Sequence, residues 1–461
     1  MSFDVAIIGG GISGLVTAYD LHSRGRKVVV LERQQRIGGN AVSERIDGFL
    51  MEHGPTTLNA MAPDALQLSG ELGLCEEQTS LGSGVRKRYL RQGDDLHGVS
   101  IHPAGFLFSS YLSLAGRASL VLEALRRRKC GSEDETVHAF ACRRFGAEFA
   151  AKVMDPLVAG MFGGDAAKLS MSAVFPRLCE MEEKYGSITR GALRARRGSE
   201  PSKRLFSFRG GVGVLPQSLA ARLNGHVRTA MAVTSITRQK NGYAISIYNQ
   251  ATVLARCVVL AVQPHVAAQL LARLDEQAAQ ITAAIDAPPM SVVLLGYRRD
   301  QVGHRLDGLG FLSTADSGGI ITGAQFPSTM FAHRAPGGFV SVCAYVGGAR
   351  NRDAGLMNAD ELTGEVHSEL SRLLQIRREP VMSRCRQWVR SLPQYEPGHV
   401  ERAAILQTLH ERCPGLFLAG NYLSGVSVGN CIAQARRTAG QVEALLQAGG
   451  GQEKAVKVSA G

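Results

Sequence analysis

The chain opens on two short apolar runs separated by a segment with helical spacing. Phe3 to Ile8 is apolar, β-branched and ends in glycines, the pattern of a buried strand. Ser13 to Leu21 sets Leu15, Ala18 and Leu21 on one side of a helix, and Gly25 supplies its stop. Lys27 to Leu31 returns to a continuous apolar run, Val28-Val29-Val30-Leu31. Strand, helix and strand within about 30 residues predict a βαβ unit, with parallel strands and a right-handed crossover.

Further along, residues 105–200 predict mainly helix. Gly105 to Leu125 is their most apolar stretch and closes on Arg126-Arg127-Arg128-Lys129. Residues 230–256 predict alternating short strands with a turn at Asn241-Gly242, and Val258 to Val262 a buried strand stopped by Pro264. Residues 290–347 predict strands with glycine turns, 360–376 an amphipathic helix, Leu416 to Ala419 a short final strand, and Asn430 to Leu446 a final helix. Gly449 to Gly461 is expected to be a disordered tail. There is no internal repeat.

Composition narrows the classes. Of 461 residues, 45% are apolar and 20% charged, the balance of a globular protein large enough for two or three domains. No apolar run is long enough for a transmembrane helix, and Met1-Ser2-Phe3-Asp4 lacks a secretory pattern. The cysteine count of nine is odd and no pair has metal-ligand spacing, which argues against a disulfide framework and a zinc site and for a cytoplasmic setting. The net charge of +12 comes without a basic stripe interleaved with aromatics, so nucleic acid is set aside. Acidic lipid or an anionic substrate fits that charge, as does an Arg-rich surface of no special function.

The chemistry begins at Gly9-x-Gly11-x-x-Gly14, between the first strand and first helix. One glycine permits the tight turn, the next lets backbone approach a pyrophosphate, and the last lets helix pack on strand. The amides of Ile12, Ser13 and Gly14 then open the helix toward the phosphates. Glu32, 18 residues after Gly14, stands where an acidic residue takes ribose hydroxyls, and it disfavours a 2′-phosphate. Arg33 follows it, and Arg36-Ile37-Gly38-Gly39 places a glycine pair beside the nucleotide. Toward the C-terminus, Ala419-Gly420-Asn421 and Gly425-Val426-Ser427-Val428-Gly429-Asn430 lead into the final helix, whose N-terminal amides favour negative charge on a bound cofactor.

These motifs together identify a resemblance. The chain resembles the oxygen-dependent, FAD-containing protoporphyrinogen oxidases, within the FAD-dependent amine-oxidase superfamily, over about residues 3–445. Beyond the nucleotide motifs, the carrying segments are Gly160-Met161-Phe162-Gly163-Gly164-Asp165 with Lys168-Leu169-Ser170, and Phe206-Ser207-Phe208-Arg209-Gly210-Gly211 with Leu215-Pro216. Leu392-Pro393-Gln394-Tyr395 with Gly398-His399, and Asn421-Tyr422 through Gly429, complete the set.

The resemblance implies an α/β fold: a two-dinucleotide-binding, Rossmann-like FAD domain (1–85, 204–265 and 405–448), a mixed-sheet substrate domain (86–104 and 266–404) and a helical insertion (105–203). It implies FAD as cofactor, with Glu52-His53-Gly54-Pro55 turning toward the isoalloxazine and Val233 meeting adenine through its backbone. His53 there is either a base or a packed loop histidine. Arg88 matches an arginine that pairs with a porphyrinogen propionate, Leu312 an aliphatic residue that sandwiches the macrocycle, and Phe331 an aromatic that stacks on a pyrrole. The implied partners are a tetrapyrrole, molecular oxygen and a membrane surface on the inner face of the cell membrane, with a homodimer left open. Gly105 to Leu125 is on this view a membrane-contacting stretch; otherwise it is a core helix with a basic end.

The implied activity is oxidation of protoporphyrinogen IX to protoporphyrin IX by hydride transfer from a meso carbon to flavin N5, with no side-chain base required. Two departures leave the substrate open. Ser100-Ile101 stands where a proline is usual, and Met330-Phe331-Ala332-His333-Arg334 replaces Phe-Pro-x-Arg. Coproporphyrinogen III, or an amine, pyrroline or polyene, is the alternative substrate; a non-catalytic flavoprotein is the alternative of another class.

Overall fold

The computed structural model describes residues 2–100, 110–128, 133–195 and 205–458. The first strand, Ser2–Ile8, shows why its sequence is apolar without alternation. Val5 and Ile7 face one core, and Phe3, Ala6 and Ile8 face another. A strand covered on both sides has no solvated face to give to polar residues. It lies between Val28–Leu31 and Val253–Leu260, parallel to both. Val227–Arg228 continues the sheet beyond Val28–Leu31, and Leu416–Leu418 pairs parallel to Val253–Leu260. The hairpin of Val233–Gln239 and Gly242–Ile247 adds two antiparallel strands, turning at Gly242 with φ 133°. Helix Ile12–Ser23 and the last helix pack on one face, and Pro264–Leu271 with Glu276–Ala283 on the other.

A second sheet runs in the order Met382–Trp388, Met290–Arg298, Phe339–Gly347, Ile321–Gln325, Gly308–Ser313, Lys87–Gln92, Asp95–Ser100. Helix Ala359–Leu374, capped by the Asn358 side chain, buries Leu362, Val366 and Leu370 against one face. Arg91 and Glu369 form a buried ion pair between that sheet and that helix. On the opposite face, the registers align Leu90, Leu312, Gly323, Tyr345, Val292 and Arg386 in one row across six strands. Residues paired across a ladder share a face, so this row forms a continuous floor.

A third, helical layer covers part of that floor. Helices Val137–Phe145, Asp155–Phe162 and Met171–Val174 build its core around Phe140, Val158 and Leu169. Within the stretch read as most apolar, residues 105–109 lie outside the described residues. The remainder forms helix Leu114–Val121, capped by Ser113, and a short turn Leu122–Leu125. It is not a core helix. Leu114, Val121, Leu122 and Leu125 are 80, 68, 49 and 75% exposed. Glu123 points the other way, into a fully buried ion pair with Arg144, and also accepts from Ser187 Oγ and the Ile188 and Thr189 amides.

The last helix differs from the sequence expectation at both ends. It spans Val428–Val458, so it starts before Asn430 and runs through most of the segment expected to be a disordered tail. Helix propagation gains a hydrogen bond for each residue fixed, and Gln452-Glu453-Lys454-Ala455 are strong helix formers that carry it past the glycines. Loss of the Glu123 partner is the sharpest test of the helical layer. Arg144→Ala should lower unfolding stability by roughly 3–5 kcal/mol, because it leaves a buried carboxylate unpaired; chemical denaturation of the variant against the wild type measures it.

Candidate functional site

The glycines of the first turn divide into two kinds. A Cβ on Gly9 would stand 2.3 Å from the Ala261 carbonyl oxygen, and one on Gly14 2.0 Å from the Gly9 carbonyl oxygen. Both are closed by backbone, and Gly9 has φ 110°. Gly11 is the opposite: its Cβ would meet nothing nearer than the Gly39 Cα at 3.9 Å. Gly9 and Gly14 therefore serve strand–helix packing, while Gly11 faces open space from which a ligand can approach backbone. Gly38 bridges to Gly11, and the Gly38 amide donates to the Gly10 carbonyl at 2.8 Å, so both glycine segments line one concavity.

Glu32 closes that concavity at the end of its strand. Its carboxylate accepts from the Gly10 amide at 2.7 Å and the Gln34 amide at 2.8 Å, which fixes it beside the turn with lone pairs left for hydroxyl donors. The Met231 amide donates to the Glu32 carbonyl, bringing the 230–233 segment and Val233 alongside. Arg33 is exposed. Arg36 donates to the Gly39 carbonyl at 3.0 Å, but its Nη2 is buried with no protein partner. Burial and the neighbouring Arg386 hold this guanidinium below its ordinary pKa. A cation edge left unpaired, an open Gly11 and the uncapped N-terminus of helix Ile12–Ser23 together fit an anionic dinucleotide backbone.

The remaining nucleotide-side residues converge on the same place. Ser13 and Thr17 of the first helix meet Cys431 and Ala435 of the last helix. A Cβ on Gly54 would stand 2.6 Å from the Asn40 carbonyl oxygen, so Gly54-Pro55 passes tightly over the end of the glycine-pair loop. His53 is pinned: Nε2 pairs with Glu44 at 2.9 Å and its carbonyl accepts from Trp388 Nε1 at 2.7 Å. Burial depresses its pKa. The loop Gly420–Gly425, which includes Asn421 and leads to Val428, is held from outside. The Tyr395 hydroxyl donates to the Asn421 carbonyl and accepts from the Gly425 amide at 3.0 Å. His399, stacked on the Tyr395 ring at 4.0 Å, donates through Nε2 to the Tyr422 carbonyl at 2.9 Å. The sequence reading had singled out this Pro-Gln-Tyr…Gly-His segment without seeing that it clamps the cofactor-side loop.

The substrate-side residues are only partly brought together. Leu312 lies on the floor of the second sheet beside Leu90, and a Cβ on Gly160 would stand 2.3 Å from its Cδ2, so helix Asp155–Phe162 crosses directly above it. Arg88, two residues from Leu90, shares that face. It makes no hydrogen bond or ion pair among the described residues, and burial lowers its pKa. Phe331 is placed at the Arg334 end of this face, where it borders a small cavity with Leu294, Gln325 and Cys343. It is 3% exposed, packs with Val85, Leu309 and Met330, and lies under the Arg334 guanidinium at 5.4 Å. Sequence reasoning missed Tyr345 and Gln325, which occupy the Leu312 face and are joined by a 3.2 Å hydrogen bond. Alternation along strand Phe339–Gly347 offered a faint signal, but both of its faces are largely apolar.

Two measurements follow from this geometry. Gly11→Ala should keep its melting temperature while losing flavin affinity by at least about tenfold, whereas Gly14→Ala should melt at lower temperature; flavin absorbance and thermal denaturation separate them. Burial pushes His399 down to about 4. Its folded pKa lies below the unfolded value, so its stabilising contribution is full above about pH 6.5 and is lost as pH falls through about 4. In His399→Gln, that part of the acid-side slope of stability should vanish.

Comparison with known proteins agrees with this arrangement. The family model described as flavin containing amine oxidoreductase matches residues 12–443. The chain is 31% identical to the chloroplastic protoporphyrinogen oxidase 1 of Spinacia oleracea, over 95% of this chain and 84% of that protein. It is 26% identical to the coproporphyrinogen III oxidase of Bacillus subtilis, over 94% and 96%. A crystal structure from Exiguobacterium superposes with a TM-score of 0.82 at 22% identity, over 95% of this chain and 98% of that one, which is a likeness of fold. The chain belongs to the flavin containing amine oxidoreductases, and FAD is its cofactor.

Proposed function

We propose that this flavoenzyme oxidises a porphyrinogen, protoporphyrinogen IX to protoporphyrin IX, with molecular oxygen as acceptor. The single observation that carries the reading is Arg88: a half-buried guanidinium with no side-chain partner among the described residues, on the same sheet face as Leu312 and Leu90. An apolar sheet face carrying a guanidinium suits a tetrapyrrole bearing carboxylate arms. The names of the Spinacia oleracea and Bacillus subtilis relatives support it.

On this reading FAD supplies the hydride-accepting centre. Gly11, Ile12, Ser13, Gly38 and Gly39 would receive its pyrophosphate, with Gly9 and Gly14 shaping the turn behind them, Glu32 would take its adenosine ribose, and Arg33 and Val233 would flank the adenine side. Gly54, Pro55, Gly420, Asn421 and Val428 border the flavin end. Leu312 and the floor exclude water and hold the macrocycle flat, while Arg88 binds a propionate and orients a meso carbon. Phe331, which borders a small cavity with Leu294, Gln325 and Cys343 of that face, would close the floor at its Arg334 end. The three parts correspond to FAD-binding segments 1–85, 204–265 and 405–448, substrate segments 86–104 and 266–404, and helical segment 105–203. Coproporphyrinogen III is the second substrate to test, because it carries more carboxylates and Arg386, on the same floor, has a buried Nε with no protein partner.

The exposed Leu114, Val121, Leu122 and Leu125, flanked by exposed Arg127 and Arg128, would lie on an anionic membrane surface. No helix among the described residues is long and apolar enough to cross a membrane. Purified protein given protoporphyrinogen IX under air should raise porphyrin fluorescence above the autoxidation blank; no rise would overturn the substrate. Arg88→Ala should raise KM by about ten- to a hundredfold with a smaller change in kcat, as expected for loss of one charge-assisted contact. Leu122→Asp/Leu125→Asp should abolish sedimentation with anionic vesicles and leave turnover of a detergent-dispersed substrate intact.

A further inference from the structure

Glu52 ends the strand Phe49–Glu52 and is 6% exposed. It accepts from the Ser43 hydroxyl and from the Val212 amide at 2.9 Å. The Gly213 amide donates to Ser43 Oγ at 2.8 Å, which leaves the Ser43 proton free to point at Glu52. Arg334 is 2% exposed and lies 3.4 Å from the same carboxylate. Its Nη2 also donates to Ser207 Oγ and the Phe208 carbonyl, but its Nη1 is buried without a partner among the described residues.

Arg334 and Glu52 line a small internal cavity together with Thr56, Leu294, Gln325 and Cys343. It leaves about 10 Å³ for the centre of a water-sized sphere, near the space one buried water needs. Four polar groups border it: the Arg334 guanidinium, the Glu52 carboxyl, the Gln325 amide and the Thr56 hydroxyl. Thr56 has no side-chain hydrogen bond among the described residues. Leu294, Gln325 and Cys343 lie on the sheet face that carries Leu312 and Tyr345, so the cavity sits directly against the candidate substrate floor. Thr56 follows Gly54-Pro55, the segment assigned above to the flavin end.

We propose that Glu52, Arg334 and one water between them form an internal proton-holding site that serves the oxidation on the adjoining floor, with Thr56 as its outlet. The inference rests on the flavin-oxidase reading above. Removal of a hydride from a substrate C–H leaves a cation, which becomes neutral by losing a proton from a pyrrole N–H. That proton passes through the Thr56 hydroxyl and the water to the Glu52 carboxylate, which becomes a neutral acid; no electrons move in this step. Oxygen, on taking up the two electrons, needs two protons to become hydrogen peroxide. One is the proton removed as hydride, the other leaves Glu52, and the carboxylate is restored.

The electrostatics agree with the geometry. Burial pushes Glu52 up to about 7 against the opposing pull of Arg334, Ser43 and the Val212 amide, so it exchanges a proton near neutrality. The other groups facing it keep their charge state across that range. Cys343 is pushed up to about 12, Tyr345 well above its ordinary value, and Arg334 with Arg45 behind it stays cationic. His53, next in the chain, pairs with Glu44 instead.

Infrared titration of the FAD-loaded protein tests the site directly. A carboxylic-acid band that fades as pH rises through about 7, and is missing from Glu52→Gln, is expected; no Glu52-dependent acid band at about pH 5 overturns the proposal. In anaerobic rapid mixing with protoporphyrinogen, wild-type flavin bleaching should quicken between about pH 6 and 8. Glu52→Gln should lose that rise and run at least about tenfold slower at pH 8. Thr56→Val, which leaves the ion pair intact, should slow bleaching yet keep the band. Wild-type rate and pH profile in Glu52→Gln overturn the proposal. Should that variant lose FAD, the Glu52→Gln/Arg334→Met pair removes both charges together and carries the same readouts. Absence of bleaching in the wild type, with the band still titrating, counts against the substrate reading and not against the proton site.

Discussion

At the head of the first helix, the Gly14 Cα approaches the Gly9 carbonyl so closely that a methyl group would stand 2.0 Å from it. This backbone-on-backbone contact sets the strand, the turn and the helix at one distance. Because Gly9 is in turn closed by Ala261 at the end of a neighbouring strand, the turn is locked to the sheet on two sides. Everything assigned to the cofactor is referenced to that turn. Glu32 is held by the Gly10 amide, the second glycine pair by the Gly10 carbonyl, and the last helix by its packing on the first. A helix displaced by even a methyl radius would move its N-terminal amides and the open face of Gly11 together.

The proposed substrate floor and nucleotide concavity belong to different sheets, and polar contacts between distant segments join them. Tyr395 and His399 reach from the substrate side to the Gly420–Gly425 loop, while the Tyr395 carbonyl accepts from Ser170 of the helical layer at 2.7 Å. Arg334 ties the segment after Met330 to Ser207 and Phe208 as well as to Glu52. Within the segment 330–334, Arg334 thus works as a cross-tie.

Buried ion pairs recur at these seams. Glu123–Arg144 fastens the exposed apolar turn to the helical layer, Arg91–Glu369 fastens a helix to the second sheet, and Glu52–Arg334 lies between the two sheets. Such pairs cost desolvation and are weak sources of net stability, but breaking one leaves a buried charge, so each strongly disfavours separation of the parts it joins. All three carboxylates accept from further donors as well: Glu123 from three, Glu369 from the Ile320 amide, and Glu52 from the Ser43 hydroxyl and the Val212 amide. Glu52 differs in that burial outweighs its donors and raises its pKa, whereas the donors around Glu123 lower that group's, and this sets Glu52 apart as a group that exchanges a proton.

The nucleotide site was legible in the sequence because its determinants are local. Glycine spacing, an acidic strand end and a helix start constrain backbone over a few residues, and such constraints leave the same letters wherever they occur. Strand Ser2–Ile8 and the first helix were legible for the same reason: burial on both faces demands an unbroken apolar run. The floor was not. Arg88, Leu312 and Tyr345 come from strands far apart in the chain, and what unites them is ladder register, which alternation in largely apolar strands does not mark. For that reason Gln325 and Tyr345 went unseen, and so did the packing of Phe331 against Val85, Leu309 and Met330. The exposure of Leu114 and Leu125 was likewise decided in three dimensions. Apolar letters state a preference for burial, but only the packing of the surrounding elements determines whether anything is there to cover them.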